Sequence, residues 1–293
     1  MTITFEPIAI EKQKAYLKYL AECPQKTSDY SFVNLWGWAH EYGLCWAWEK
    51  HLVWIKQTRP LVSYWAPVGA WQRVNWSDRL EQLAAAHSRF VRIPERLLQY
   101  WKESQKNRLR IEAARGHWDY LYAVSELVNL PGNRFHKKKN LLNQFKKQYD
   151  YTYRTLDPDL IDQALAMQTD WCTWRDCESS ETLSAENRAI ERVLKDWKHL
   201  DGITGGALMV NQKMAAYTVA ESLTDDMLVI HFEKASLDYK GGYQAVNQMF
   251  LAHSHEGFKT VNREQDLDDE GLRNAKLSYH PIDFLHKFRV IIS

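Results

Sequence analysis

Apolar residues recur at helical spacing over 9–22, where Ala9, Ala15, Tyr16, Tyr19 and Leu20 leave the lysines and glutamates largely on the other side. A second helix is predicted over Phe32–Glu41. Short runs follow at Leu44–Trp48, Leu52–Gln57 and Leu61–Ala66, punctuated by Gly43, Glu49–His51, Pro60 and Pro67, and they read as an antiparallel meander. Ser77 is the candidate N-cap of a helix through Ala86, Phe90–Ile93 the next strand, and Pro94 the first residue of another helix. Arg108–Ala114 and Trp118–Val124 then close this half as strands.

Pro131 and Gly132, inside the run SELVNLPGN at 125–133, break any periodic element and mark a junction. Beyond it, Phe135, Leu142, Phe145 and Tyr149 form one stripe of a helix over Arg134–Tyr149. A strand is predicted at Tyr151–Thr155, helices at Pro158–Trp174 and Ser184–His199, and three successive strands at Gly205–Val210, Met214–Glu221 and Met227–Lys234. A helix over Gly242–His255, a strand at Thr260–Arg263, a helix at Asp269–Leu277 and a strand at Phe284–Ile292 complete the chain. Both halves follow the same order of elements without any residue-level repeat. The expectation is an α+β protein with domains at 1–130 and 131–293.

Composition agrees with two cores: 293 residues is about twice the usual single-domain length. Thirteen tryptophans, nine of them before residue 102, alternate with neighbours as core strand residues do, and are expected to pack inside rather than form a carbohydrate platform. A net charge of +1 excludes binding of nucleic acid by bulk attraction, though not by a local patch. The start MTITFEPIAI lacks the pattern of a signal peptide and no apolar run is long enough to span a bilayer, so a cytoplasmic protein without integral membrane contact is expected. Cys23, Cys45, Cys172 and Cys177 form no close C-x-x-C pair, suggest neither a disulfide framework nor a zinc knuckle, and are expected to be reduced and mostly packed. The 11 histidines are scattered, and His253 and His255 do not face the same way on a helix, so no metal site is predicted.

Candidate chemistry concentrates late in the chain. In LVIHFEK, period-2 alternation places Val229, His231 and Glu233 on one strand face, where the imidazole and carboxylate suit proton transfer or a structural hydrogen bond. Gly241 and Gly242 open the next helix, whose backbone amides suit an anion, although a tight turn needs glycine in any case. In the segment 261–281, Asn262 and Glu264 share a strand face, and Arg263, Asp266, Arg273 and Lys276 surround them. Its acids and cations also suit the dipole of the helix they flank.

IHFEKASLDYKGGYQAVNQMF and VNREQDLDDEGLRNAKLSYHP, together with NLWGW near residue 34 and the KKKNLLNQF helix, resemble the bacterial proteins grouped with the phosphatidylglycerol lysyltransferase carboxyl-terminal domain. The resemblance covers nearly the whole chain. It implies two GNAT-type acyltransferase folds in tandem, as in the Fem aminoacyltransferases. Donor and acceptor would then meet where the strands of His231 and Asn262 splay apart. The loop Asp238-Tyr239-Lys240-Gly241-Gly242-Tyr243 departs from the coenzyme A pattern of such folds in its acidic first and bulky last positions.

The function this implies is transfer of an acyl group from acyl-CoA or aminoacyl-tRNA to an amine or hydroxyl of a small molecule or peptide. Glu233, His231 or Glu264 would take the proton, Tyr243 or Tyr279 would return one, and Gly241, Gly242, Asn262, Arg263, Asp266, Arg273 and Lys276 would bind substrate. Arg134, Lys137, Lys138, Lys139, Lys146 and Lys147 would contact tRNA, unless they are only a solvated helix face. The alternative is a non-catalytic module that keeps the fold and binds a small ligand or peptide.

Overall fold

The computed structural model describes residues 4–84, 88–254 and 257–292. In chain order, β1 (Glu6–Pro7) precedes α1 (Gln13–Glu22) and α2 (Phe32–Tyr42), which starts on the Ser31 side chain and ends at Gly43 in the left-handed region. Then come β2 (Cys45–Trp48), β3 (Leu52–Gln57), β4 (Ser63–Trp65), β5 (Val68–Gly69), α3 (Trp76–Ala84), β6 (Arg89–Pro94), α4 (Glu95–Gln105) and β7 (Leu109–Ala113). The side chain of Asn75, not Ser77, accepts the amide that starts α3, and the expected end of that helix at Ala86 lies outside the described residues. Pro94 ends β6 rather than opening α4.

The chain continues through β8 (Asp119–Ala123), α5 (Val124–Asn129), α6 (His136–Gln148), β9 (Tyr151–Thr155), α7 (Ile161–Trp174) and α8 (Glu181–Lys195). The latter starts before the expected Ser184 because Ser180 caps it. After them come β10 (Ile203–Val210), β11 (Lys213–Thr224), β12 (Met227–Ala235), α9 (Gly242–Ser254), β13 (Thr260–Asn262), α10 (Glu270–Leu277), β14 (Asp283–Leu285) and β15 (Lys287–Ile292). Asn211 and Gln212, both at positive φ, make the two-residue hairpin turn between β10 and β11. The expected helix end at His255 lies outside the described residues.

Two compact units result. One holds the chain up to Tyr120 with Gln265–Asn274 and the stretch from Phe284 onward; the other holds Leu121–Glu264 and Ala275–Asp283. In the first, the sheet runs β1-β2-β3-β4-β6-β15-β7, with β5 on β3, and only β4 and β6 are parallel. In the second it runs β14-β8-β13-β12-β11-β10-β9, and here β12 and β13 pair in parallel. The last strand of each sequence half therefore pairs in the sheet of the other half. That is why the stretch from Phe284 onward is not continuous with the second unit, and why the junction expected at 130/131 falls past α5 inside it. The strand expected over Phe284–Ile292 is split for the same reason, β14 going to one sheet and β15 to the other.

Tryptophans fill the first core as expected: Trp46, Trp54, Trp71 and Trp101 are fully buried. Each such ring removes about 150–250 Å² from water, on the order of 4–6 kcal/mol at about 25 cal/mol per Å². The second core is built from Phe135, Phe145, Leu208, Tyr217, Val219 and Phe250. Cys172 and Cys177 are joined by a disulfide, contrary to expectation. The turn after α7 brings their Cα atoms to 5.1 Å although five positions separate them.

Candidate functional site

β12 and β13 pair through Met227 with Thr260, Leu228 with Val261 and Val229 with Asn262. There β13 ends, while β12 runs on to Ala235, so the strands part beyond Val229 and Asn262. At the same place β12 carries one residue more than β11. Val219 lies opposite Phe232 and Ala220 opposite Ile230, which leaves His231 as the extra residue of a bulge.

The bulge reassigns the faces. Tyr217, Val219 and Glu221 share one face of β11, so their partners Lys234, Phe232 and Val229 share it, whereas Glu233, opposite Thr218, lies with Ile230 on the other. His231 and Glu233 are therefore not the same-face neighbours that strict alternation predicts. His231 turns to Glu221, and Glu233 to Asn247 of α9.

The His231 side chain is fully buried, with Nδ1 2.8 Å from Glu264 Oε1 and Nε2 3.6 Å from Glu221 Oε1. Burial alone would lower its pKa, but the hydrogen bonds and charges of the two carboxylates outweigh it and raise the value to about 9. At neutral pH it is an imidazolium. A ring that already carries its proton between two carboxylates is not poised to accept another, so the expected proton acceptor is instead the cation that holds Glu264. Asn262, fully buried, accepts the Glu264 N–H through Oδ1 at 2.8 Å and braces that residue in the left-handed region.

On the other face, Glu233 accepts from Arg263 Nη2 at 2.9 Å and from Asn247 Nδ2 at 3.0 Å. The Arg263 guanidinium lies 4.9 Å from the Tyr279 ring centroid and 5.9 Å from that of Tyr122. Lys138 Nζ lies 4.2 Å from the Tyr279 centroid. Lys276 Nζ donates to the Arg263 carbonyl oxygen, and the Tyr122 hydroxyl donates to the carbonyl of Lys276. Burial raises the Tyr279 hydroxyl above its usual pKa against the lowering charge of Arg263, so it keeps its proton. His231, Glu233, Asn262, Arg263, Glu264, Lys276 and Tyr279 are thus gathered around the end of β13.

The remaining candidates lie elsewhere or are differently engaged. Tyr243, also raised by burial, accepts from Trp171 Nε1 at 3.0 Å. Gly241 has a φ of +85°, and a Cβ there would sit 2.3 Å from the Leu141 carbonyl oxygen, so close packing on α6 requires glycine. The Gly242 amide donates to the Tyr239 carbonyl at 2.9 Å. That amide is therefore not open to an anion, and Asp238 places a carboxylate in the same loop. Asp266 and Arg273 belong to the first unit and bind each other, Arg273 Nε and Nη2 meeting the two carboxylate oxygens at 2.8 and 2.9 Å. On the basic helix and the residues before it, Arg134 pairs with Glu126, while Lys137, Lys139, Lys146 and Lys147 are exposed and Lys138 is half-buried.

Sequence reasoning missed Glu221 and Asn247. Both sit where the apolar pattern of β11 or α9 calls for a hydrophobic residue, and a charged or amide side chain at a buried position is the signal that it has a partner. A cavity of about 480 Å³ elsewhere in the second unit, lined by Trp171, Trp174, Met214, Leu237, Asp238 and Tyr239 among others, includes none of the expected site residues.

Residues 20–291 match the family described as Phosphatidylglycerol lysyltransferase, C-terminal. The crystal structure of a conserved protein of unknown function from Bacteroides thetaiotaomicron is 28% identical, with a TM-score of 0.91 over 100% of both chains. The structure of L-PGS from Bacillus licheniformis is 11% identical, with a TM-score of 0.67 over 100% of this chain and 94% of that one. An uncharacterized protein from Mycoplasmoides gallisepticum is 25% identical over 173 residues, 59% of this chain, and the chain spans about half, 55%, of the length of that curated relative. The two mixed sheets flanked by helices are the tandem GNAT-type fold that the sequence resemblance implies.

Proposed function

Because the chain belongs to the phosphatidylglycerol lysyltransferase, C-terminal, family, we propose that it transfers an acyl group from an aminoacyl ester to an amine or hydroxyl acceptor where β12 and β13 part. The observation that carries this reading is the parting itself, with the carboxylates of Glu264 and Glu233 at its two faces. The acceptor's nitrogen or oxygen would attack the acyl carbon while its proton passes to Glu264 or Glu233. As the ester C–O bond breaks, the leaving oxygen would take a proton from Tyr279. His231 acts as a positioning residue, its fully buried ring fixing Glu264 through the 2.8 Å ion pair. Aminoacyl-tRNA is favoured over acyl-CoA as donor because the Gly242 amide is already bonded to Tyr239 and Asp238 lies in the same loop, while Lys137, Lys139, Lys146 and Lys147 present an exposed basic surface on α6. The family's name specifies a phospholipid acceptor. No helix among the described residues is long and apolar enough to cross a membrane, and the acceptor is assigned only as an amine or hydroxyl.

One observation favours a second reading, a module that binds without catalysis: both carboxylates at the gap are already paired, with His231 and Arg263. Titration with radiolabelled aminoacyl-tRNA, followed by counting of the label transferred to an amine, separates the two. Saturable binding with transfer lost by at least about a hundredfold in Glu264→Gln or Glu233→Gln, both still folded, supports the enzyme. Transfer that survives both substitutions removes the assigned bases, and absence of donor binding favours the module.

A further inference from the structure

Lys138 differs from the other lysines of α6. Its neighbours Lys137 and Lys139 are exposed, whereas Lys138 is half-buried, and among the described residues no hydrogen bond or ion pair reaches its Nζ. Beside it lies the Tyr279 ring at 4.2 Å, and burial, together with the like charge of Arg263, lowers the lysine's pKa. Arg263 is unsatisfied in the same place: Nη2 is committed to Glu233, while Nη1 is buried without any acceptor. Two cations beside one aromatic ring, each with a donor left over, repel one another, and the one carboxylate paired there, Glu233, meets only Arg263 of the two.

We propose that Lys138 and Arg263 form a seat for a single phosphate oxyanion at the edge of the gap between β12 and β13. The proposal rests on the transfer reading above, because it assigns this phosphate to the donor or the acceptor. A carboxylate would be held best by both parallel N–H groups of one guanidinium edge, and half of that fork is already used by Glu233. A tetrahedral phosphate needs only one oxygen on Nη1 and another on the point-like ammonium of Lys138, with a third left toward solvent or the substrate's next atom. The conformationally flexible lysine suits this better than a second fixed fork.

The seat is tested without turnover, by ³¹P NMR titration of the whole protein with inorganic phosphate at constant ionic strength. Saturable binding is expected, weakened at least about tenfold in Lys138→Met, largely kept in Lys138→Arg and unchanged in Lys195→Met, which removes an exposed lysine paired on α8. Matching thermal melts of the Lys138 variants show that they are folded. A soluble glycerol phosphodiester and a nucleoside 5′-monophosphate then compete for the bound phosphate. The stronger competitor identifies whether a lipid-type headgroup or a nucleotide end brings the phosphate. Absence of saturable binding, equal binding in Lys138→Met, displacement by neither phosphoester, or displacement by acetate at equal concentration each overturns the assignment. Phosphate binding in a protein that transfers nothing leaves the seat and removes the enzyme reading; transfer with an unchanged KM in Lys138→Met does the reverse.

Discussion

The His231 ring, fully buried between the carboxylates of Glu221 and Glu264, makes stability depend on pH in a defined direction. In the unfolded chain a histidine titrates near 6.5, and in the folded one His231 is raised to about 9. A raised pKa means that the folded state holds the proton more tightly. The stabilisation is complete below about pH 6.5, declines through the interval, and is gone above about 9. With roughly 1.4 kcal/mol per unit, the interval corresponds to about 3 kcal/mol, and the full burial of the ring leaves no solvent screening to discount. Urea unfolding at pH 6 and pH 9.5, for the wild type and His231→Gln, isolates this group from the lysines and tyrosines that titrate over the same range. The substitution leaves Glu221 and Glu264 without their cation and is expected to cost about 3–5 kcal/mol at pH 6. At pH 9.5 the cost should be smaller by about 2–3 kcal/mol, because the wild-type ring has by then lost most of its charge. A histidine NMR titration of the native protein should show the His231 resonance unmoved through pH 7. A midpoint below 7, or a cost of substitution that does not change with pH, would refute the argument.

In the first unit, Lys287 has no solvent exposure and its Nζ donates to Asp119 at 2.6 Å and to Asp29, which also pairs with Arg92. Lys287→Met leaves two buried carboxylates to one guanidinium, and urea unfolding should show a loss of about 3–5 kcal/mol; a loss under about 1 kcal/mol would mean that the cluster rearranges or hydrates without difficulty. Burial pushes the Cys23 thiol up to about 12, so native protein at pH 8 should leave it unmodified by iodoacetamide until it unfolds. Peptide mapping without reductant should recover Cys172 and Cys177 linked; free thiols at both, or rapid alkylation of Cys23, would contradict these assignments.

Periodicity located the long elements because each buries one face: Leu142 and Phe145 of the expected stripe became the inner side of α6, with Phe135 buried just before it, and the meander strands of both halves formed where they were expected. Ends were less legible. Several side chains near a helix start can cap it, and Ser180 and Asn75 won over Ser184 and Ser77. Short strands such as β1 and β5 have only two residues each, too few for a period to register. The exchange of β8 and β15 between sheets left no local trace, because a strand forms the same ladder in either sheet and only the path of the chain decides which is met.

The candidate site was legible as a set of residues but not as an arrangement, and one inserted residue accounts for the difference. His231, Glu233, Asn262 and Glu264 do converge, as alternation and the family resemblance implied. The bulge at His231 then divides them between two faces. The His231 face holds the carboxylates of Glu221 and Glu264 against one imidazolium. The other holds Glu233 against Arg263, with the unpaired Lys138 nearby. One face of the gap is therefore short of positive charge and the other has it in excess. On the transfer reading, this asymmetry gives a donor only one favourable sense of entry, its phosphate toward Lys138 and its free amino group toward Glu264. A strand without the bulge would place His231 beside Glu233, neutralise the pair locally, and lose that direction.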